Sequence, residues 1–504
     1  MTFVTHRKED SFLHLARCVR TRLVGFTLDW DWAREPLASL VQVVRRGDDF
    51  FDFAFVDYAD FPDKEALRGL LHFTTWDAKL RVPGLEGAYG RECSAAAKRT
   101  WMDGRTIRVF ERPWAMSPGQ VYRLQHYYYH MGGISMDSNE HLRLEDITVK
   151  STPGHAFHMR GTQRHTLFAR VKIAASRDDP RRVVTCTADL LHVAASWGFI
   201  KMEDCLFSLG EDDFVNVHGN TSFARRRSQK VLRATSRFYG SLPKGTRVEV
   251  RNADYSPTGF TGTVVGVTRA PDGEKGFDIA FAEDVPPETH GGFVLFDRTY
   301  DTRNVIIRNC RFIGNRARGV LVLARDVTIE GDAFRHTGSG AIQVETGYTR
   351  DKWSEGYGVS NVVIRGNLFD NANPVGARTP QLQPVVYAGV YRPKDIDVPV
   401  GYPILRDILI ERNVFRDSYG VAAYLSNVQD VTVRDNLLAD SRARLKDPPC
   451  RAQFRLVQAK NVRVVNNVWR LSPHVAAPGV AWDSASCTGV VAEGNRVKEK
   501  DASP

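Results

Sequence analysis

The stretch that decides the fold is NVIIRNCRFIGNRARGVLVLARDVTIEGDAF, residues 304–334. It begins and ends on the same phrase, NVIIRNCRF (304–312) and DVTIEGDAF (326–334), with 326 − 304 = 22 residues between the two starts. Each phrase alternates polar and aliphatic residues, the period of a strand with one buried face. Between them lies a second apolar run, RGVLVLA (318–324). The phrase recurs on both sides, as HLRLEDITV (141), FIKMEDCLF (199), NVVIRGNLF (361), DILIERNVF (407), DVTVRDNLL (430) and NVRVVNNVW (461). A second strand follows most copies, for example HAFHMRG (155), ADLLHVA (188), DFVNVHG (213) and GAIQVETG (340).

A period in this range belongs to solenoids, propellers or repeat arrays. Two short strands per repeat, with no helix-length amphipathic stretch, select an all-β, right-handed parallel β-helix. Leucine-rich repeats would show a different leucine pattern, and propeller blades would be nearly twice as long. In such a solenoid each coil covers the next, so the core is one continuous stack.

One step breaks the period: 304 − 199 = 105 residues. The excess contains GTRVEVRN, FTGTVVGVTRA, GFDIAFAED and GGFVLFDR, with the turn PDGEKG between two of them. These read as antiparallel strands. The expected organisation is therefore a first part of the β-helix over residues 1–226, an inserted small antiparallel β-barrel over 227–300 and a second part over 301–504. The segment HLARCVRTRLVGFTLDWDW (14–32) reads as the late part of a coil, and MTFVTHRKEDSFLHLARC lacks the apolar centre of a secretory signal. The expectation is that further sequence precedes it.

Composition narrows the class. With 42% hydrophobic and 25% charged residues, the chain has the make-up of a globular protein. No run approaches the roughly 20 apolar residues that cross a bilayer as a helix, so no membrane partner is expected. The formal net charge is +10, but the basic residues are dispersed and the one dense run, ARRRSQK (224–230), falls at a domain junction. Nucleic acid is not expected, and an anionic glycan suits the charge equally well. Seven cysteines at 18, 93, 186, 205, 310, 450 and 487 form no metal-binding spacing and no even disulfide set. Cys205 and Cys310 occupy equivalent places in their repeats and read as stacked core residues.

The chemistry gathers around Asp189 in TCTADLLHV and Asp212-Asp213 in SLGEDDFVNVHG, with 212 − 189 = 23 residues between them. One coil apart, these carboxylates would lie on neighbouring strands about 4.8 Å from each other. Like charges so close raise one another's pKa, which is how one acid of a cluster keeps a proton that another has lost. Successive strand residues face opposite ways, so Asp212 and Asp213 can both reach a groove only from a turn, which LGE before them suggests. An ordinary solvated acidic turn is the plain alternative. His192 and His218, 26 residues apart, look like matched positions able to bond a sugar hydroxyl or hold a carboxylate. Arg316 and Arg318 could orient substrate or anchor an acid. Glu345, with Trp353 and Glu355 in the following loop, offers carboxylates beside an aromatic that could stack on a pyranose ring. No compact metal-ligand motif is present, and neither metal nor cofactor is expected.

With these residues in hand, the chain resembles glycoside hydrolase family 110, the β-helical exo-acting α-1,3-galactosidases, and more distantly the polygalacturonase-type β-helix hydrolases. GFTLDWDW, TADLLHV, GEDDFVNVHG, NCRFIGNRARGVLVLARDVTIEG, TGSGAIQVETG and WSEGYGVSNVVIRGNLF carry the resemblance, over roughly residues 20–495. It implies an inverting exo-glycosidase that releases terminal α-1,3-linked galactose from a carbohydrate, which the positive charge allows to be sulfated. It also implies Asp212 as general acid, and Asp189 and Asp213 as the carboxylates that activate water. A periplasmic or extracellular location is what it implies if the N-terminus is truncated; a homodimer is one oligomeric state compatible with it. The family usually has Gly after the first Asp, and this chain has Leu190. A polysaccharide lyase or another β-helix hydrolase acting on an anionic, sulfated galactan, or a non-catalytic glycan-binding β-helix, would share the repeats.

Overall fold

The computed structural model describes residues 1–57, 72–85, 90–94, 96–176, 178–271, 274–349, 353–374, 384–393, 401–418, 421–439, 453–470 and 479–498. The fold is a parallel β-helix. Its successive coils pair strand on strand in parallel register, as where Leu191–Ala194 lies between Phe157–Arg160 and Val215–His218. Most described repeats contribute three strands rather than the two read from the sequence, the first two running on as one in Ala423–Arg434 and Phe454–Val465. In one coil these are Leu191–Ala194, Gly198–Glu203 and Leu206–Gly210. The periodic phrase itself bends: Asp204, Asn309, Arg412, Asp435 and Asn466 have φ between 54° and 57°, so the closing aromatic starts a third strand. Asn and Asp tolerate this left-handed conformation better than most residues.

Two ladders run through the solenoid and explain the phrase. The aromatic position stacks, with Phe207, Phe312, Phe334, Phe369 and Phe415 at successive centroid separations of 5.1, 4.6, 5.4 and 4.8 Å. The asparagine two residues before it is buried in Asn367, Asn413, Asn436 and Asn467, and each side chain bonds the backbone of its neighbours. Asn413 accepts from the Asn367 N–H at 2.9 Å and donates to the Ile364 carbonyl at 2.9 Å. Bends that would otherwise bury unpaired backbone groups are satisfied in this way. Cys205 and Cys310 occupy the same position in earlier coils, buried and as free thiols; Cys450 lies outside the described residues.

Two antiparallel units interrupt the helix. A closed six-stranded barrel runs from Thr221–Ser228 to Phe293–Asp297 and is inserted between Val215–His218 and Arg303–Arg308, the first and second strands of one coil. Its first strand starts ahead of the boundary drawn from sequence, because TSFARRR alternates as a barrel strand. The second unit corrects the reading of 1–226 as uninterrupted β-helix. Residues 38–125 build an antiparallel sheet centred on Ala38–Arg46, Phe51–Phe55 and Val121–Gln125. It has its own core of Phe51, Phe53, Phe55, Phe73, Trp114 and Tyr122. Strands Leu13–Ala16, Arg22–Val24 and Thr27–Trp30 before it already belong to the solenoid.

Candidate active site

The three aspartates are brought together, but their register differs from a simple 23-residue step. Leu191 pairs with Val215 and His192 with Asn216, a step of 216 − 192 = 24 residues. Asp189 therefore lies under Asp213. The Asp213 N–H donates to Asp189 Oδ1 at 3.1 Å, and the Leu190 N–H donates to the Asp213 carbonyl at 2.9 Å. Asp212 enters the site from the side because Glu211, Asp212 and Asp213 form the bend between Leu206–Gly210 and Val215–His218. All three bend residues are buried, at 0, 8 and 0% exposure, so this is not a solvated acidic turn.

One coil further on, two arginines meet these acids. Arg318 grips Asp213 with both forks of its guanidinium, Nε at 2.7 Å and Nη2 at 2.6 Å, and adds its backbone N–H at 3.0 Å. Arg316 donates to the Glu211 carbonyl at 2.6 Å and pairs with Glu211 Oε1 at 3.1 Å and Asp212 Oδ1 at 3.7 Å. Behind them Arg123, fully buried on the antiparallel sheet, forms an ion pair with Glu211 and donates to the Gly210 carbonyl at 3.0 Å. The hydroxyls of Tyr128 and Tyr129 both donate to Asp212 Oδ2, at 3.2 and 3.0 Å.

These contacts separate the acids. Among the described residues no arginine is bonded to Asp189; burial, then Asp212 and Asp213, push its pKa well above the usual carboxylate range. Asp212 is buried too, yet Arg316, Arg318 and the two tyrosines outweigh that and hold it below the usual range. Burial pushes Asp213 up against the pull of Arg318. Asp212 and Asp213 thus face the two guanidiniums, and Asp189, bonded to neither, is pushed toward its protonated form.

The histidines are shifted relative to their expected alignment. The register partner of His192 is Asn216, and that of His218 is Ala194. Their rings still converge, with Nε2 to Nε2 at 3.3 Å and His192 Nδ1 at 2.6 Å from Asp189 Oδ2. His155, in the coil below, places Nδ1 at 3.1 Å from the Asp189 carbonyl. His155, Asp189 and His192, and likewise the three aspartates, bring polar atoms within 4.8 Å of one another. The contacts above already engage these groups.

Glu345 is half-buried; burial first, with Asp213 and Glu355 adding and Arg318 opposing, raises its carboxyl to about 7. Glu355 returns beside it through a hairpin in which Gly347 pairs with Glu355. Trp353, in that hairpin, is 60% exposed. Leu190 is fully buried in the solenoid core, against Gly210, where an added Cβ would stand 2.8 Å from a Leu190 methyl. Tyr128, Tyr129, His155, Asn216 and Arg123 were missed from sequence. HYYYH (126–130) was the available signal for the tyrosines, and Arg123 breaks the apolar alternation of VYRLQ.

No family model matches the chain. Curated proteins do. An α-1,3-galactosidase A of Bacteroides fragilis is 27% identical over 309 residues, 59% of this chain and 49% of that protein. One of Shewanella woodyi is 31% identical over 203 residues, 39% of this chain and 33% of its own length. An α-1,3-galactosidase B of Phocaeicola vulgatus is 24% identical over 387 residues, 71% of this chain and 62% of that protein. The resemblance drawn from the sequence is thus to real relatives. The chain spans about half the length of the first of them.

Proposed function

We propose that the chain is a glycoside hydrolase that releases terminal α-1,3-linked galactose, by an exo route and with inversion. The carrying observation is the buried trio Asp189, Asp212 and Asp213, set among the described residues against two arginines, Arg318 bonded to Asp213 and Arg316 3.7 Å from Asp212. Glycoside hydrolysis needs one protonated carboxyl at the leaving oxygen and one carboxylate for water, and a cluster of this charge holds one proton. On the roles implied by the resemblance, Asp212 donates to the leaving oxygen while Asp189 and Asp213 take the proton of the attacking water. Oxygens within 4.8 Å suit a single water bonded to both. Inverting enzymes more often separate their carboxyls by about 6.5–9.5 Å, so inversion here rests on the resemblance. The electrostatics favour a second assignment of the same trio, in which Asp189 donates and the ionised Asp212 activates water. Glu345 and Glu355 are placed to accept bonds from sugar hydroxyls, with Trp353 as a stacking surface.

The lyase reading has less support, because Arg316 and Arg318 are both engaged by carboxylates and poorly placed to act as bases. A glycan-binding protein without turnover would have no use for the buried proton.

The deciding experiment compares Asp189→Asn and Asp212→Asn on an α-1,3-galactosyl disaccharide and on α-galactosyl fluoride, whose leaving group needs no proton. The variant lacking the acid keeps the fluoride reaction and loses the disaccharide; the variant lacking the base loses both. Near-normal disaccharide turnover in both variants would sink the assignment. NMR of the first-formed galactose should show the β anomer, and the α anomer would refute inversion.

A further inference from the structure

We propose that His218 fixes the tautomer of His192 and thereby holds Asp189 in its protonated form, making the two histidines positioning residues for the acid cluster. This rests on the second assignment given above, in which Asp189 holds the proton and Asp212 is ionised, but its first test does not depend on turnover.

The argument is an inventory of hydrogens along a chain of contacts. A peptide carbonyl can only accept. His218 Nδ1 lies 3.2 Å from the Gly219 carbonyl, so that nitrogen carries the hydrogen. In the neutral ring the other nitrogen, Nε2, is then bare. It faces His192 Nε2 at 3.3 Å. Two lone pairs cannot share that contact, so His192 Nε2 must be the donor. His192 Nδ1 is then the bare nitrogen, and it lies 2.6 Å from Asp189 Oδ2. An ionised carboxylate would again oppose two lone pairs. The contact is satisfied when Oδ2 carries a hydrogen and donates to His192, its remaining lone pair taking the long 3.5 Å bond from Asn216 Nδ2, while Oδ1 accepts from the Asp213 N–H.

The surroundings agree with neutral His192. It is half-buried and packed among His155, His158 and His218; its desolvation, and each of those rings, discourage a positive charge on it. Asp189 is faced by Asp212, Asp213, Arg318, Tyr129 and His192, and of these only Arg318 favours its ionised form by charge, from across Asp213. The result is a site in which Asp212 and Asp213 carry charge opposite Arg316 and Arg318, and Asp189 is neutral. Ionising Asp189 requires His192 to turn over to the Nδ1–H tautomer, which strands its Nε2 against that of His218.

Nitrogen-15 NMR of the full chain labelled at histidine, with His192 and His218 assigned through their Ala variants, reads the tautomers directly. The expected result at neutral pH is hydrogen on Nε2 of His192 and on Nδ1 of His218, both rings neutral. Hydrogen on Nδ1 of His192, or a doubly protonated His218, overturns the proposal, whether or not the protein hydrolyses any galactoside. In kinetics, His218→Ala and His218→Gln both remove the obligatory acceptor and free His192 to donate to an Asp189 carboxylate. The limb of the kcat/KM profile that belongs to Asp189 should move to lower pH by about one unit, a tenfold change in its proton affinity. A limb that stays in place or moves upward in a folded variant also overturns the proposal.

Discussion

Asp213 sits one coil above Asp189, and the two are joined twice: the Asp213 N–H bonds the Asp189 carboxyl at 3.1 Å, and the backbone ladder returns through Leu190 at 2.9 Å. The same column continues upward to Arg318 and downward to His155. Parallel stacking therefore fixes Asp189 and Asp213 in one column of the solenoid, while Asp212 reaches them from the side of the bend. This arrangement suits chemistry that depends on where one proton resides.

The tyrosines should tune Asp212. Tyr129 donates to its Oδ2 at 3.0 Å, a bond to the charged form. Tyr129→Phe removes a contribution that lowers Asp212, so the limb of the pH–rate profile belonging to Asp212 moves up, by about 0.5–1 unit. The direction is the same whether Asp212 serves as acid or base, and a profile measured across the acidic range checks it.

Arg123 ties the antiparallel sheet to the catalytic bend. Arg123→Met leaves the buried Glu211 with Arg316 and Thr74 as its side-chain partners. Breaking a buried ion pair costs about 3–5 kcal/mol, and denaturant titration should show a loss of that order. Adding Glu211→Leu should recover stability without recovering kcat, because Arg316 then lacks the carboxylate that aims it.

The asparagine ladder should be worth more per residue than its polarity suggests. Asn413→Leu strands the Asn367 N–H and the Ile364 carbonyl inside the solenoid. Each unpaired buried group costs about 1–3 kcal/mol. Thermal unfolding should report a total of roughly 2–5 kcal/mol, well above the cost of any exposed Asn on the same coils.

Asp332 stands where that ladder begins, accepting from the Cys310 N–H at 2.6 Å, and burial raises its carboxyl to about 8. The sign follows from proton counting: between the unfolded carboxylate range near 4 and about 8, the folded state binds the extra proton. Asp332 therefore costs increasing stability as pH rises through that window. Asp332→Asn should remove the dependence and raise Tm at pH 8, by the equivalent of about 1–3 kcal/mol, with little change at pH 4.

Much of this architecture was legible in the chain. The repeat of polar, aliphatic and aromatic positions is a direct image of inward and outward faces, so the β-helix could be read without neighbours. The break of 105 residues announced the barrel. The antiparallel sheet of residues 38–125 escaped because its strands alternate as solenoid strands do; only RRGDDF, the hairpin turn between Ala38–Arg46 and Phe51–Phe55, marks the change. A helical coil and a hairpin have the same period of two, and pairing partners, which decide between them, lie far apart in sequence.

Within the site, spacing alone placed Asp189, Asp212 and Asp213 in one patch, because a solenoid converts sequence interval into distance. Spacing could not say which carboxyl meets an arginine. That depended on a one-residue register difference, which puts Asp189 beneath Asp213 and leaves it facing His192 in place of a guanidinium. It depended also on Arg123, from the antiparallel sheet, and on Tyr128 and Tyr129, from the segment that leads from that sheet back into the solenoid. Sequence thus determined that acids would crowd, and tertiary structure decided which of them meets an arginine, because charge stabilisation falls off within a few ångströms and no periodicity encodes contacts between segments distant in the chain.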